Sequence, residues 1–426
     1  MTNIDRAQKI ISATPTRVSP GVRVASAVLI GVGVVGVWLG CNGSGLHPAL
    51  WVAILVSTSL IVGLAVVGVL ISAIFQLTGS TWGLSYRRLA EATVVFMPLG
   101  IAGLLALILG GQDYLPWAHA PLNGGKQVWL VRGFWDTRVL ACALVAYVVS
   151  LFFLYYSLRR DFSVPEVASR FQGWLGCWLG RNIRHHDEEA ARSEARMATL
   201  APIVAVVYAV TFTLLGFDLI MALEPNWTST LFGAWYFIGH VFVGFAWLGI
   251  VAAVVQKRLA IEGYLSSHRQ RDLGTLLFAF VLLNIDFFWS QYLTIWYGNL
   301  PEETEYLILR TVDSGLPFRC LSWIALAAFF AIPFVALLFR RVKQSPVLLS
   351  TVSVVVVVGI FLARFIEIAP PILRLPHGSS LVALMAPLSI AVMVFAGFMG
   401  AGLFLYAWFL TQVPIIPLNA TEDQRS

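Results

Sequence analysis

Residues 49–75, ALWVAILVSTSLIVGLAVVGVLISAIF, decide the fold, because this long stretch contains no charged side chain. An α-helix rises about 1.5 Å per residue and the hydrocarbon core of a bilayer is about 30 Å thick, so about 20 apolar residues cross it. The stretch exceeds that length, and its residues do not alternate between apolar and polar as the strands of a membrane β-barrel do. It is therefore predicted to be a transmembrane α-helix.

The composition of the whole chain agrees with that prediction. Hydrophobic residues make up 58% of the 426 residues and charged residues 12%, and the mean hydropathy is +0.81. Soluble domains have about 25% charged residues, so a soluble globular protein, a disordered chain, a collagen-like fibre and a disulfide scaffold are excluded. The net charge of +6 does not indicate nucleic-acid binding, because the basic residues lie between apolar runs. The predicted fold is an all-α integral membrane protein.

The chain contains ten apolar runs long enough to span a membrane. The predicted organisation is a cytoplasmic N-terminal segment at 1–21, a transmembrane domain of ten helices at 22–410 and a cytoplasmic tail at 411–426. The predicted spans lie near 22–40, 49–75, 90–111, 139–158, 197–222, 229–254, 273–297, 318–338, 346–366 and 386–410.

The distribution of Lys and Arg predicts the orientation. Of the 28 Lys and Arg residues, 21 lie in the N-terminal segment, in the loops after even-numbered runs and in the tail. Six lie in the loops after odd-numbered runs, and Arg364 lies within a run. Because cytoplasmic loops carry an excess of basic residues, this alternation predicts ten spans with both termini cytoplasmic.

The loop after the fourth run has a helix pattern of its own near 163–180. Ser163, Pro165 and Glu166 have the spacing of a capping box with Pro in the first turn. The pattern predicts an amphipathic helix that lies on the cytoplasmic membrane surface or packs against the helix bundle. Its apolar residues recur at helical spacing at Val164, Val167, Phe171, Trp174 and Trp178.

Titratable residues inside the runs are candidates for a proton pathway, because a charge in the middle of a membrane costs several kcal/mol. Glu91 opens the third run, where its alternative role is to complement the helix dipole. Asp218 lies late in the fifth run and, like Glu224 after it, has helix capping as its alternative role. Asp286 lies in the middle of the seventh run, four residues before Ser290, and its alternative is a solvated side chain without a function.

His240 is the fourth proton-pathway candidate and also the leading candidate for a quinone site. It lies near the middle of the sixth run, with Tyr236 four residues before it and Trp247 seven residues after it, so the three share a helix face. A neutral imidazole can donate a hydrogen bond to a quinone carbonyl or pass a proton near neutral pH. The alternative is a core histidine that bonds to a neighbouring helix.

Two other patterns predict structure. Arg364 and Glu367 are three residues apart near the end of the ninth run, so they are expected to form an ion pair on one helix. Small residues four apart indicate close helix packing. Such pairs are Gly36 with Gly40 and Ala396 with Gly400.

Known cofactor and nucleotide motifs are missing from the sequence. None of the four cysteines lies in a C-x-x-C pattern, and His240 is the one histidine well inside a run, whereas a b-type haem needs two axial ligands. The sequence has neither GxxxxGK[ST] nor HExxH. We therefore expect no haem, iron–sulfur cluster or other metal site in this chain, and no catalytic residue of an ATPase or zinc protease.

Two long stretches carry a resemblance to a known family. Residues 218–233, DLIMALEPNWTSTLFG, and residues 288–304, FWSQYLTIWYGNLPEET, resemble the F subunit of alternative complex III. That complex is a bacterial quinol:cytochrome c oxidoreductase, and the subunit, also called quinone-binding subunit 2, belongs to the NrfD/PsrC-like group of membrane proteins. The resemblance is tight over about 210–310 and elsewhere rests on span count and loop pattern.

The resemblance implies a fold of ten helices with two four-helix bundles, in the bacterial plasma membrane. It implies that the chain holds no redox cofactor itself and gives support, with a candidate quinone site or proton pathway. The implied partners are a second NrfD-like subunit that binds quinol, a periplasmic iron–sulfur protein and multihaem c-type cytochromes. The sequence departs from the family pattern where Asn226 replaces an expected His, Thr275 an expected Lys and Asp286 an expected aromatic residue.

Two alternatives remain open at this point. A secondary transporter would have interrupted helices in matching positions of two halves. Pro98, Pro202, Pro333 and Pro387 interrupt runs, but the sequence shows no matched pair of Gly- or Pro-broken helices. An assembly anchor of another NrfD-type oxidoreductase would have no binding site at all.

Overall fold

A computed structural model describes residues 3–118, 126–181, 183, 185–258, 263–311, 317–376 and 379–420, and this part of the chain contains helices and no strand. The α-helices are α1 (Asn3–Ala13), α2 (Pro20–Asn42), α3 (His47–Leu77), α4 (Leu84–Glu91), α5 (Met97–Leu109), α6 (Gly111–Tyr114), α7 (Lys126–Trp129), α8 (Arg132–Phe162), α9 (Pro165–Arg170), α10 (Trp174–Leu179), α11 (His186–Leu219), α12 (Phe232–Arg258), α13 (Ser267–Gly298), α14 (Pro301–Thr311), α15 (Phe318–Leu326), α16 (Ile332–Leu338), α17 (Arg340–Gln344), α18 (Pro346–Leu373) and α19 (Val382–Phe409). Short 3-10 segments lie at Ala92–Phe96, Pro116–Ala118 and Met221–Leu223, and a π-helical segment lies at Ala327–Ala331.

Ten of these segments are long and apolar enough to cross a membrane, so the predicted number of spans is confirmed and the chain is a multi-pass membrane protein. Several helices extend beyond the predicted runs, because polar end turns continue the helix after the apolar stretch has ended. The spans in chain order are α2, α3, α4 with α5, α8, α11, α12, α13, α15 with α16, α18 and α19.

The uncharged run at 49–75 forms the central helix of the molecule. In its apolar window, 94% of the residues of α3 are buried, compared with 22% for α2. Helices α5, α8, α11, α12, α18 and α19 all pack against it. Small residues permit this crowding, since a Cβ atom at Gly68 would lie 1.9 Å from the carbonyl oxygen of Ala90. A helix surrounded by other helices needs no polar face, which explains its composition.

The other spans pack in pairs, some between neighbours in sequence and some between distant spans. Helix α8 packs along α11, α12 packs against both α13 and α18, and α15 packs against α18. The first and last spans, α2 and α19, form the most extensive pair. Small residues allow them to approach closely, because a Cβ atom on Gly33 would lie only 2.4 Å from Cα of Gly397. The predicted packing residues Gly36 and Gly400 lie in the same crossing.

Two spans are interrupted, and proline accounts for both positions. The 3-10 segment Ala92–Phe96 separates α4 from α5, and Pro98 follows it directly in the first turn of α5. The π segment Ala327–Ala331 separates α15 from α16, with Pro333 in the first turn of α16. Proline has no N–H to bond to the carbonyl group four residues earlier, so regular hydrogen bonding stops there.

The segment at 163–180 differs from the prediction of one amphipathic helix. It forms two short helices, α9 and α10, and the hydroxyl of Ser163 donates to the carbonyl oxygen of Arg160 at 2.6 Å, so it does not cap α9. Val167 and Phe171 are buried. Trp178 is exposed, so one part of the segment packs against the helices and another part faces outward.

The described N-terminal and C-terminal segments meet on one side of the molecule, called here the terminal side. The backbone N–H of Ile415 donates to the hydroxyl of Thr14 at 3.3 Å. Ile415 and Ile416 are buried, so the described part of the tail, 411–420, is packed against the helices. The side reached by the other ends of the spans is called here the opposite side.

We predict that Gly33→Ala lowers the free energy of unfolding by about 1–3 kcal/mol, because the new methyl group would collide with the backbone of Gly397. Gly31→Ala is the matched control, since a Cβ atom there meets nothing within 4 Å. Thermal unfolding of both purified variants in one detergent measures the difference. Equal melting temperatures for the two variants would contradict the close crossing of α2 and α19.

Candidate functional site

A cavity of about 640 Å³ lies between α13, α14, α15 and α18, toward the opposite side. Small-molecule sites are usually about 300–1,000 Å³, apolar, and lined with a few convergent polar groups. This cavity has that character. Its lining is Trp235, Ile285, Phe288, Trp289, Gln291, Tyr292, Tyr306, Leu307, Arg310, Thr311, Ser322, Trp323, Ala325, Leu326, Phe329, Phe330, Ala363, Ile366 and Glu367.

Gln291 gives the cavity wall a hydrogen-bond donor. Its Oε1 atom accepts a bond from the hydroxyl of Ser229 at 3.2 Å, which fixes the orientation of the amide. Its Nε2 atom is buried and has no partner among the described residues. Other buried polar atoms in the described part also lack partners, but Gln291 Nε2 is the one on the cavity wall. A ligand with a carbonyl oxygen would satisfy it.

Arg310 connects three segments at the rim of the cavity by an ion pair and hydrogen bonds. Its guanidinium forms an ion pair with Glu224 and donates to the carbonyl oxygens of Tyr306 at 2.8 Å and Glu367 at 2.9 Å. Burial alone would lower the pKa of Arg310, but Glu224, Tyr306 and Glu367 together outweigh burial and raise this pKa above its usual value. Arg310 therefore stays charged, and Glu224, interpreted from sequence as a cap, is its counter-ion.

Aromatic stacking supports Arg310 from the other side. The guanidinium carbon of Arg310 lies 3.9 Å from the ring centroid of Tyr306, and Tyr306 stacks on Trp227 with centroids 3.9 Å apart. Burial raises the pKa of Tyr306, so its hydroxyl stays protonated. These contacts fix α14 over the cavity and tie it to the segment that follows α11.

The Arg364–Glu367 pair, expected from its spacing, lies beside the cavity. Arg364 Nη1 donates to Glu367 Oε2 at 2.5 Å, and both side chains are buried. The other oxygen of Glu367, Oε1, accepts no hydrogen bond from the described residues, and Glu367 lines the cavity. The guanidinium of Arg364 also lies 4.6 Å from the ring centroid of Tyr236, which connects the pair to α12.

His240 is a buried histidine bonded to a neighbouring helix. Its Nδ1 and Nε2 atoms each lie 2.9 Å from a backbone carbonyl oxygen, that of Tyr236 and that of Ser59 on α3. Gly63 makes room for the ring, since a Cβ atom there would lie 1.8 Å from His240 Cδ2. Each ring nitrogen thus faces a backbone carbonyl oxygen, and a neutral imidazole, which has one N–H, donates to one of the two. The ring packs α12 against α3.

The three quinone-site candidates predicted from α12 do not line the described cavity. Tyr236 and His240 contact each other, with ring centroids 4.5 Å apart. Trp247 packs two turns further along against Phe96 and Tyr406, with centroids 5.8 and 5.5 Å away. The face that these three residues share therefore packs against neighbouring side chains. The residue of α12 that lines the cavity is Trp235.

Glu91 lies in a buried polar cluster near the terminal side. The hydroxyls of Ser72 and Ser157 donate to its Oε1 atom at 2.7 and 2.6 Å, and Arg88 donates to its Oε2 atom at 2.6 Å. Arg88 also pairs with Asp161 at 2.5 Å. Glu91 is the last residue of α4 and has these specific partners, so complementing the dipole at a helix start is not its role.

Asp218 forms a buried, two-pronged ion pair instead of a helix cap. Arg138 donates to its two carboxylate oxygens through Nε at 2.7 Å and Nη2 at 2.6 Å. The guanidinium of Arg138 lies 3.8 Å from the ring centroid of Trp129 and 4.5 Å from that of Phe134. No local pattern of residues indicates this partner, because Arg138 lies 80 residues away along the chain.

The four proton-pathway candidates are not brought together. Glu91 bonds to Ser72 and His240 contacts the carbonyl of Ser59, and these two residues lie thirteen positions apart on α3. At about 1.5 Å per residue, roughly 20 Å of helix separates them. Asp218 is paired at the opposite side, and Asp286 is exposed on the outer face of α13. Among the described residues no hydrogen bond links any two of the four.

Comparison with known families and proteins adds no assignment. Neither models of protein families nor curated proteins match this chain. Within the described residues, no three His, Cys, Asp or Glu side chains come together as metal ligands would. The function must therefore be argued from the cavity and its polar groups.

We predict that Arg138→Met lowers the free energy of unfolding by about 3–5 kcal/mol, because it leaves the Asp218 carboxylate buried and unpaired. Adding Asp218→Leu to the same protein should restore most of the loss, since an apolar pair of similar volume is often as stable as a buried ion pair. Thermal unfolding of the two variants tests this. A double variant no more stable than Arg138→Met would show that the ion pair is not the cause.

Proposed function

We propose that this chain is an integral membrane subunit of a quinol-oxidising complex of the alternative complex III type, and that its cavity binds the head group of a quinone or quinol. The observation that carries the proposal is the unpartnered Nε2 atom of Gln291 on a predominantly aromatic and apolar wall. The resemblance of 218–233 and 288–304 to the F subunit of that complex supports it, and both stretches contribute residues at or beside the cavity.

The chemistry of the wall suits both redox forms of the head group. A quinone has a flat apolar ring with carbonyl oxygens, which the aromatic lining and the Gln291 amide can accommodate. A quinol has hydroxyl groups, and the free oxygen of Glu367 can accept a hydrogen bond from one of them. This proposal moves the quinone site from His240, Tyr236 and Trp247 to Gln291 and Glu367.

The same groups suggest a path for protons away from the cavity. Glu367 would accept a proton from quinol. Glu224, which pairs with Arg310 beside the backbone carbonyl group of Glu367, is more exposed and lies at the opposite side. Glu91, Asp218 and His240 would then support the helix bundle instead of forming one pathway, because each is held by its own partners.

Electrons would leave through partner proteins, since the proposal assigns this chain no redox cofactor. The partners implied by the family are the second NrfD-like subunit, the periplasmic iron–sulfur protein and the multihaem cytochromes. The contacts between spans support the implied arrangement in two four-helix bundles. Within each of two sets, every helix contacts the next one along the chain; the sets are α3, α5, α8 and α11, and α12, α13, α16 and α18. The distribution of Lys and Arg supports cytoplasmic termini in a bacterial plasma membrane.

We predict that Gln291→Leu weakens binding of a short-chain ubiquinone or menaquinone to the purified protein about five- to tenfold, the effect of one lost hydrogen bond. Asn284→Leu is the matched control, because Asn284 is a buried amide on the same helix that does not line the cavity. Isothermal titration calorimetry measures both. Equal affinity in the two variants, or no binding by the unaltered protein, would remove the quinone site.

A secondary transporter is a second candidate, favoured by one observation. The two interrupted spans are the third and the eighth, which are matching positions if the ten spans form two halves of five. Pro98 and Pro333 lie in these two interrupted spans, whereas Pro202 and Pro387 lie in continuous helices, a difference that the prolines alone do not show.

Liposomes that contain only this chain distinguish the two candidates. A subunit of an electron-transfer complex should move no solute, so mixtures of amino acids, sugars or organic acids should neither accumulate nor shift the internal pH. Uptake that disappears when the π segment of the eighth span is replaced with leucine residues would favour the transporter.

A further inference from the structure

One outward helix face carries a charge where the surrounding side chains are apolar. Asp286 is exposed on α13, in a stripe with Leu282, Leu283, Trp289 and Leu293, which are exposed as well. These residues recur three or four positions apart, so they lie along one face. No hydrogen bond or ion pair joins the Asp286 carboxylate to any described residue of the chain, and Asp286 is not among the residues that line the cavity.

The carboxylate lies close to the middle of the membrane. Asp286 is twelve residues before the end of α13 at Gly298 and nineteen after its start at Ser267, so about 18 and 28 Å of helix lie on either side. The hydrocarbon core is about 30 Å thick. A side chain at this position cannot reach water at either surface, and an unpaired carboxylate in hydrocarbon is strongly unfavourable.

The other outward faces show what a lipid-facing surface of this protein looks like. Leu144, Val148 and Phe152 on α8, and Val206 and Val210 on α11, are exposed and uniformly apolar. Among the described residues, Asp286 lies closer to the middle of its span than any other exposed charged side chain. The face of α13 therefore differs in chemistry from faces that suit lipid.

Small residues below Asp286 make the same face suitable for a close neighbour. Thr275 and Ala279 are exposed, four residues apart, and in line with Leu282 and Asp286. Membrane helices approach each other closely where small residues recur at this spacing. A helix that packs over them would run directly across the carboxylate.

We propose that this face of α13 docks a transmembrane helix of another protein, and that the helix presents a Lys, Arg or His side chain that pairs with Asp286. Charge selects this occupant. A second copy of the chain, related by a two-fold axis through this face, would bring two carboxylates together and repel. Asp286 and the test positions Leu282 and Leu293 do not line the cavity, so the proposal is tested independently of the quinone site.

The test places a photo-crosslinking amino acid at Leu282 or Leu293 of the full chain in its native membranes. The control carries it at Val206, on the apolar face of α11. We expect adducts at the two α13 positions with one membrane-spanning peptide that contains a basic residue, identified by mass spectrometry. Adducts with lipid alone at all three positions, with a second copy of this chain, or with a span that has no basic residue would overturn the proposal.

Charge variants complete the test. Asp286→Leu makes the face wholly apolar, as on α8, so it should leave the melting temperature of the purified chain intact while reducing the adduct at least tenfold. Asp286→Lys should also reduce it, and changing the partner's basic residue to Asp should restore it in that background. An adduct unchanged in Asp286→Leu, or not restored by the charge swap, would show that the pair does not form.

Discussion

The low polarity of the membrane interior forces buried charges in this protein to find partners within the chain. Four arginines illustrate the result: Arg88 pairs with Glu91 and Asp161, Arg138 with Asp218, Arg310 with Glu224, and Arg364 with Glu367. A charge in this environment costs several kcal/mol unless it is paired and hydrogen-bonded. Three of these four arginines, Arg88, Arg138 and Arg310, pair with a carboxylate on a different helix or segment. The electrostatic requirement therefore also determines which helices lie side by side.

The central helix makes these pairings possible. Because α3 is apolar on every face, it gives the surrounding spans a common surface to pack against, and its few hydroxyl and carbonyl groups meet specific partners. Ser72 on α3 bonds to Glu91, and the carbonyl of Ser59 meets His240. The buried networks near the terminal side and at the level of His240 are thus positioned by one helix.

Two polar groups stand apart from this pattern, and both proposals rest on them. The amide nitrogen of Gln291 is unpartnered on the wall of a cavity large enough for a small molecule. The carboxylate of Asp286 is unpartnered on an outward face at mid-membrane depth. The amide N–H of Gln291 needs a hydrogen-bond acceptor, which a ligand with a carbonyl oxygen would supply. The carboxylate of Asp286 needs a positive charge, which a helix with a basic side chain would supply.

The sequence by itself determined the number of spans, their approximate bounds and the spacing of the Arg364–Glu367 pair. These features depend on properties of consecutive residues, namely the length of an apolar run and the 3.6-residue period of the helix. Partners that are far apart along the chain cannot be identified from consecutive residues. Nothing local marks Arg138 as the counter-ion of Asp218, Arg310 as that of Glu224, or the outward direction of Asp286. Those relations, and the cavity itself, arise only when helices distant in sequence pack together, since burial and pairing are properties of the assembled bundle.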